Sequence, residues 1–282
     1  MSAETLETTA VAAPTRMALP AIVVLGLREA RRILRSPVYV VIVAFLLATG
    51  GLGSVIDGFA FELPSASATY GFVIFMLSLY AGVLTYAAAH LVTSSSRRTG
   101  ADRQLEASPT TERSRIGAMC LGVVFGPGLV AALALAGLAL LGNDLISFDL
   151  GKAPLSGVEL AQVGLTVVGG GVFGVMVATW LRFPGSLPLG LVVLIMGSVY
   201  VSKVGESVDL FRWLAPWVTA RVWFDEVWTL AGSQSLHALY LLGLCALAVC
   251  GALLHQREGR MRWAVVSAVV LTLTVVAGGT QL

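Results

Sequence analysis

The sequence predicts an all-α integral membrane protein: six core transmembrane helices plus a seventh, preceded by an amino-terminal amphipathic interfacial helix. Three observations carry this. Hydrophobic residues make up 57% of the 282 residues and charged residues only 12%, about half the charged share of a soluble globular domain. Seven uncharged runs approach the ~20 residues that cross a bilayer as helix. They are Val38 to Ile56, Tyr70 to Val92, Ile116 to Leu141, Leu160 to Leu181, Phe183 to Ser202, Leu236 to Leu254 and Trp263 to Leu282. Finally, 14 of the 18 Lys and Arg either precede the first run or lie between the second and third, the fourth and fifth, or the sixth and seventh. The other side holds Lys152, Lys203, Arg212 and Arg221 with nine of the sixteen acids. Positive residues near span ends resist translocation, whereas acids matter little. A multi-pass protein of the plasma membrane with a cytoplasmic amino terminus is expected.

Taken in order, Met1 to Thr15 is polar and has no basic residue, unlike a signal-peptide n-region. Residues 1–20 are expected as a disordered cytoplasmic tail. "LREARRILRSP" follows, from Leu27 to Pro37. At 3.6 residues per turn, Arg28, Arg31, Arg32 and Arg35 share one face, and Val23, Leu27, Ala30 and Leu34 the opposite one. That pattern predicts an interfacial helix over 21–36, its apolar side in the lipid boundary and its cations toward anionic headgroups. Pro37 stops the helix, and Ser36 before it is biased out of the helical region.

Several chemistries lack their residues. The only Gly-Lys pair, Gly151-Lys152, is followed by Ala153, so the chain has no phosphate-cradling loop ending in Gly-Lys-Ser or Gly-Lys-Thr. His90, His237 and His255 are scattered, without a second ligand at metal spacing. No catalytic or metal site is expected, nor any nucleic-acid partner. No predicted span contains Asp, Glu, Lys or Arg, which disfavours a proton-relay carrier. Cys120, Cys245 and Cys250 read as small apolar residues, since Cys245 and Cys250 point to different faces of one helix.

Between the second and third runs lies "SSSRRTGADRQLEASPTTERSR", Ser94 to Arg115, with eight charged side chains. Its expected helical part, Ala101 to Ser108, is stopped by Pro109 and is too short to hold alone in water. Such a segment needs a surface to lie on.

At these residues a likeness becomes visible. "RTGADRQLEASP", Arg98 to Pro109, resembles the cytoplasmic coupling segment of type-2 ATP-binding cassette permeases, matching at Arg97, Gly100, Gln104, Leu105, Ala107, Ser108 and Pro109. Ser96, Asp102, Arg103 and Glu106 depart from the pattern. "REARRILRSP" looks like the family's elbow helix, and "HALYLLGLCALAVCGALLHQREGR" is similar to its last core helix. The likeness covers about residues 21–260, with 261–282 as an additional helix. It implies one half of a membrane dimer, pairing with a second copy or a homologue, and resting on a separate ATP-binding cassette ATPase. This chain would bind no cofactor; ATP and Mg would sit in the partner. The coupling loop, 94–115, would act through Gly100, Gln104, Leu105, Glu106, Ala107, Ser108 and Pro109. From the residues alone, an ATP-independent carrier or lipid scramblase, or a non-transporting assembly or sensor subunit, stays open.

Inside the membrane, Thr166, Gly170 and Gly174 recur at a spacing that lets helix backbones approach closely. Pro127 is expected to kink the third span. Tyr86 and His90, one turn apart, read as interhelical hydrogen-bonding groups or as contacts to a substrate path. The outer region, 204–235, holds four of the six tryptophans. With Trp213 and Trp217 at i, i+4, Pro216 between them and Trp223 beyond, two short helices in or dipping into the outer leaflet are expected.

Overall fold

The computed structural model of the protein describes residues 19–41, 43–45, 48, 77–98, 110–149, 156–204, 213–214, 218–219, 221–223, 227–257 and 259–282. Most of the first predicted span and the start of the second lie outside them.

Helix α1 covers Leu19–Leu34. It begins inside the stretch expected as a tail, with Pro20 in its first turn, where a missing N–H costs nothing. Ser36 ends it: its hydroxyl donates to the Ile33 carbonyl (2.7 Å) and accepts from the Tyr39 amide (3.2 Å). Residues 37–41 are helical again. A π turn at Leu77–Ala81 leads into α2 (Gly82–Arg98), so the first five residues of the predicted coupling loop continue the helix. Helix α3 (Glu112–Val123) starts at Thr111, whose side chain accepts from the Ser114 amide. A π turn at Val124–Gly128 joins α3 to α4 (Leu129–Asp149). Pro127 sits inside that turn. Lacking an N–H, it forces the ladder to skip a bond, and the extra residue of a π turn absorbs the skip.

Helices α5 (Gly157–Trp180) and α6 (Ser186–Val204) follow, then α7 (Gln234–Leu254) and α8 (Arg260–Gly279). Ser156 and Glu159 form a reciprocal capping box at α5, and Ser233 caps α7. Gly259, at φ 63°, opens α8. That left-handed conformation suits glycine and lets the chain reverse between α7 and α8.

Between α6 and α7, residues 221–223 and 227–229, which fall in the region expected to hold two short helices, form a hairpin instead, while most of the stretch around Trp213 and Pro216 lies outside the described residues. Strands β1 (Arg221–Trp223) and β2 (Val227–Thr229) pair antiparallel, with Val222 opposite Trp228. Valine, threonine and tryptophan on facing positions favour a pleated surface over a helix. Apart from this hairpin, the regular structure among the described residues is helical.

Among the described residues, four helical segments are long and apolar enough to cross a membrane: Glu112–Gly137, Gly157–Trp180, Gln234–Leu254 and Arg260–Gly279. Their contacts fix their relative directions. Gln234 at the start of α7 meets Ser156 and Gln162 at the start of α5. Trp180 Nε1 at the far end of α5 donates to the Gly251 carbonyl near the end of α7 (2.8 Å). The two helices therefore run in the same sense. Tyr86 on α2 lies beside Gly174 of α5 and Gly82 beside Gly170, so α2 runs with them. Glu112 at the start of α3 pairs with Arg182 just past α5, and His237 near the start of α7 meets Gln281 just past α8. Hence α3 and α8 run the opposite way. Helices with an odd number of crossings between them run in the same sense, as the alternating runs of the sequence require. Arg113, Arg115, Arg182, Arg257, Arg260 and Arg262 collect at one end of the bundle.

The core lies where α2, α3, α5 and α7 meet, around Ala88, Val123, Val175, Cys245 and Ala248. Close approach is built from small residues. A Cβ on Gly170 would overlap the Gly82 carbonyl oxygen, and one on Gly174 would lie 2.5 Å from that of Tyr86. Helix α8 packs mainly on α7 and is largely uncovered by the rest of the bundle.

Candidate functional site

The residues predicted for ATPase coupling, Gly100, Gln104, Leu105, Glu106, Ala107, Ser108 and Pro109, lie outside the described residues. So do Pro216 and Trp217, and nothing is described of the Trp223 side chain. What the structure does place is the frame around them. Helix α2 ends at Arg98 and α3 begins at Glu112, both at the basic end.

Helix α1 lies against α3 at that junction. Its buried stripe is Gly26, Ala30 and Ile33, with Gly26 against Ala118 and Leu121, and Ala30 against Gly122 and Gly126. Ala30, expected on a lipid-facing stripe, is thus covered by protein. The reason is size: glycine and alanine on both helices let the backbones touch. Val24 and Leu27 stay exposed, as do Arg28, Arg31, Arg32 and Arg35. Arg32 pairs with Glu29 (3.4 Å) and donates through Nη2 to Ser95 Oγ on α2. This contact ties α1 to the helix that leads toward residues 99–109.

Tyr86 and His90 come together with the start of α6. Tyr86 is fully buried and His90 2% exposed. The Tyr86 hydroxyl points at the Ser186 and Leu187 carbonyls (3.3 Å each), and His90 Nε2 shares a 3.0 Å hydrogen bond with Ser186 Oγ. Phe173 of α5 stacks obliquely on Tyr86 at 5.6 Å between ring centroids. Gly190 leaves the room that the Tyr86 hydroxyl occupies. Tyrosine, histidine and serine are residue types of acid–base chemistry, but here they are enclosed among three helices. The arrangement is an interhelical tie between α2 and α6.

An open cleft of about 820 Å³ runs between the third span, α5 and α7, lined by Gly128, Ala132, Gly164, Val168, Ala238 and Leu242 among others. Its volume falls in the range of small-molecule sites. Among the described residues no charged side chain lines it, and neither does Tyr86 or His90. Gly157 and Ser235 form one end of it. Beside that end sits a polar cluster: Ser156 Oγ donates to Gln234 Oε1 (3.0 Å), Gln234 Nε2 to Glu159 Oε1 (3.3 Å), and Gln162 Nε2 to the Gln234 carbonyl (3.0 Å). The cleft is therefore apolar along its length and polar at one rim.

A second polar group closes the end of the bundle away from the arginines. His237, fully buried, bonds Gln281 Oε1 through Nδ1 (2.8 Å) and the Val218 carbonyl through Nε2 (2.7 Å). The Tyr240 hydroxyl donates to the Leu214 carbonyl (2.6 Å) and the Ser233 amide to the Gln281 carbonyl (2.7 Å). Trp213, predicted to sit in the outer region, is 3% exposed and meets the His237 ring edge-on at 6.1 Å. Sequence reasoning passed over this group, because His237 and Gln281 are 44 positions apart and neither is part of a motif.

Among the described residues no three His, Cys, Asp or Glu side chains gather as a metal site. Cys120, Cys245 and Cys250 are buried free thiols. No family model, curated protein or solved structure matches the chain.

Proposed function

We propose that the chain is the membrane-spanning permease subunit of an ATP-driven exporter. It forms the translocation path with a second copy or a homologue, and a separate ATP-binding cassette ATPase holds the ATP and Mg. The single observation behind this reading is the ordered run from Arg97 to Pro109, set between the amphipathic α1 and the later spans in the order that type-2 permeases use. The frame supports it. A push on residues 99–109 enters α2 and α3 directly, and both are braced: α2 by the glycines of α5, α3 by α1 and by the Glu112–Arg182 pair.

In this reading the basic end faces the cytoplasm of a plasma-membrane protein, and Arg28, Arg31 and Arg35 face anionic headgroups. The uncharged cleft with its polar rim fits lipid-like or amphipathic cargo entering from the bilayer. Leu105 and its neighbours dock in a groove of the ATPase, so Leu105→Asp combined with Glu106→Arg should abolish both co-purification of the ATPase and transport. Survival of both properties in a variant that still folds sinks the proposal.

A further inference from the structure

The cleft between the third span, α5 and α7 occupies only half of the bundle's length. On α5 its lining runs from Gly157 to Val168, although the helix continues to Trp180. On α7 it runs from Ser235 to Leu242, although that helix continues to Leu254. At 1.5 Å per residue the α5 wall is about 17 Å long, close to the ~15 Å of hydrocarbon in one leaflet. The closed end lies at Val124 and Phe125, at the π turn. Past it, Val172, Val175, Cys245 and Ala248 are packed into the core. The polar rim marks the other end, where α5 and α7 both begin.

Two glycines on the α5 wall keep this space open, and no close contact inside the chain calls for them. A Cβ on Gly157 would meet no described neighbour within 4 Å, and one on Gly164 only Leu135 Cδ1, at 3.9 Å. Gly170 and Gly174, further along the same helix, instead touch the backbone of α2. Glycine is a poor helix former, so what it supplies at 157 and 164 is room. The dimensions of that room select its occupant. A buried water needs two to four polar partners, which these apolar walls do not offer. A spanning helix needs the length of ~20 residues and would run into the covered core. An acyl chain reaching in from one leaflet fits the length, and such chains are the solvent of membrane-spanning helices. At the rim, Ser235 on the cleft wall and Gln234 beside it stand at the level of a lipid's ester carbonyls, which accept hydrogen bonds.

We infer that the cleft holds an acyl chain of a glycerolipid from the leaflet away from the arginines, with its ester groups at Ser235 and Gln234. This names the class of cargo and rests on the reading of the cleft as the cargo site, but it needs no ATPase. Occupancy is measured on the chain alone, so its failure leaves the coupling proposal standing, and failed coupling leaves the lipid site standing.

The test reconstitutes the full chain in vesicles containing a phosphatidylcholine with a diazirine midway along one acyl chain. After irradiation, adducts are mapped by proteolysis and mass spectrometry. In the wild type they should be several-fold denser on 160–168 and 238–242 than on Val265 and Val269, which α8 exposes at 58 and 55% and which report ordinary boundary lipid. Gly164→Leu places a side chain in the cleft and should cut the cleft adducts about tenfold, the exclusion of roughly two methylene groups from apolar contact. Adducts on α8 and the thermal midpoint in detergent should be kept. Should that variant not fold, Gly157→Leu should show the same loss. Cleft adducts no denser than those on α8, or undiminished in a variant that folds, overturn the proposal. So does a photoreactive residue placed at Ala161 that captures residues 49–76 or a second copy in place of lipid, because the occupant would then be protein.

Discussion

Gly170 decides how near α2 and α5 can come, since its α-hydrogen faces the carbonyl oxygen of Gly82. Gly170→Ala must push the two helices apart or bend one of them, at about 1–3 kcal/mol. Gly137 on α4 has open space where its Cβ would be, and Gly137→Ala should leave the thermal midpoint in detergent unchanged while Gly170→Ala lowers it. Equal midpoints would mean that the α2–α5 seam is looser than described. This contact was legible beforehand, because small residues four apart carry their meaning in their spacing. Gly122 and Gly126 carry the same spacing, yet they were passed over because the run around them reads simply as apolar. His237 could not be read at all: its partners, Val218 and Gln281, are brought to it only by the packing of α8 on α7.

Among the elements, the third span shows what a proline does when the helix does not break. The kink expected at Pro127 takes the form of a five-residue π turn, and Gly126 beside it packs on Ala30 of α1. The outer segment shows the opposite case. Trp213 and Trp217 at helical spacing drew attention away from Val222, Trp223, Val227 and Trp228, whose facing positions make a hairpin. Short runs of this kind fit either period, and only pairing chooses between them. That segment is held to the bundle by His237. Replacing it by leucine strands the Val218 carbonyl and should cost about 1–3 kcal/mol. The expected sign is faster cleavage between residues 213 and 233 by added protease, with the basic end still intact; unchanged protection would show that the hairpin is held elsewhere.

For the molecule as a whole, the alternation of arginine-rich and arginine-poor segments was legible because charge sorts by side of the membrane regardless of how helices pack. The directions of α2, α3, α5, α7 and α8 agree with that alternation, and six described arginines meet at one end. Which helix touches which was not legible, since any apolar face can cover any other. The assignment of sides is open to measurement. With the three native cysteines buried, cysteines placed at the exposed positions Ser156 and Arg257 report opposite ends. In intact cells an impermeant thiol reagent should label Ser156→Cys and spare Arg257→Cys; the reverse pattern would turn the topology over.

Helices α5 and α7 are fastened to each other twice, by Gln234 and Gln162 at one extremity and by Trp180 and Gly251 at the other. A pair joined at both ends behaves as a stiff mast. Any rearrangement that keeps those bonds carries the two as one body, and the bending has to be taken up by the third span at its proline, the place where its ladder is already loosened.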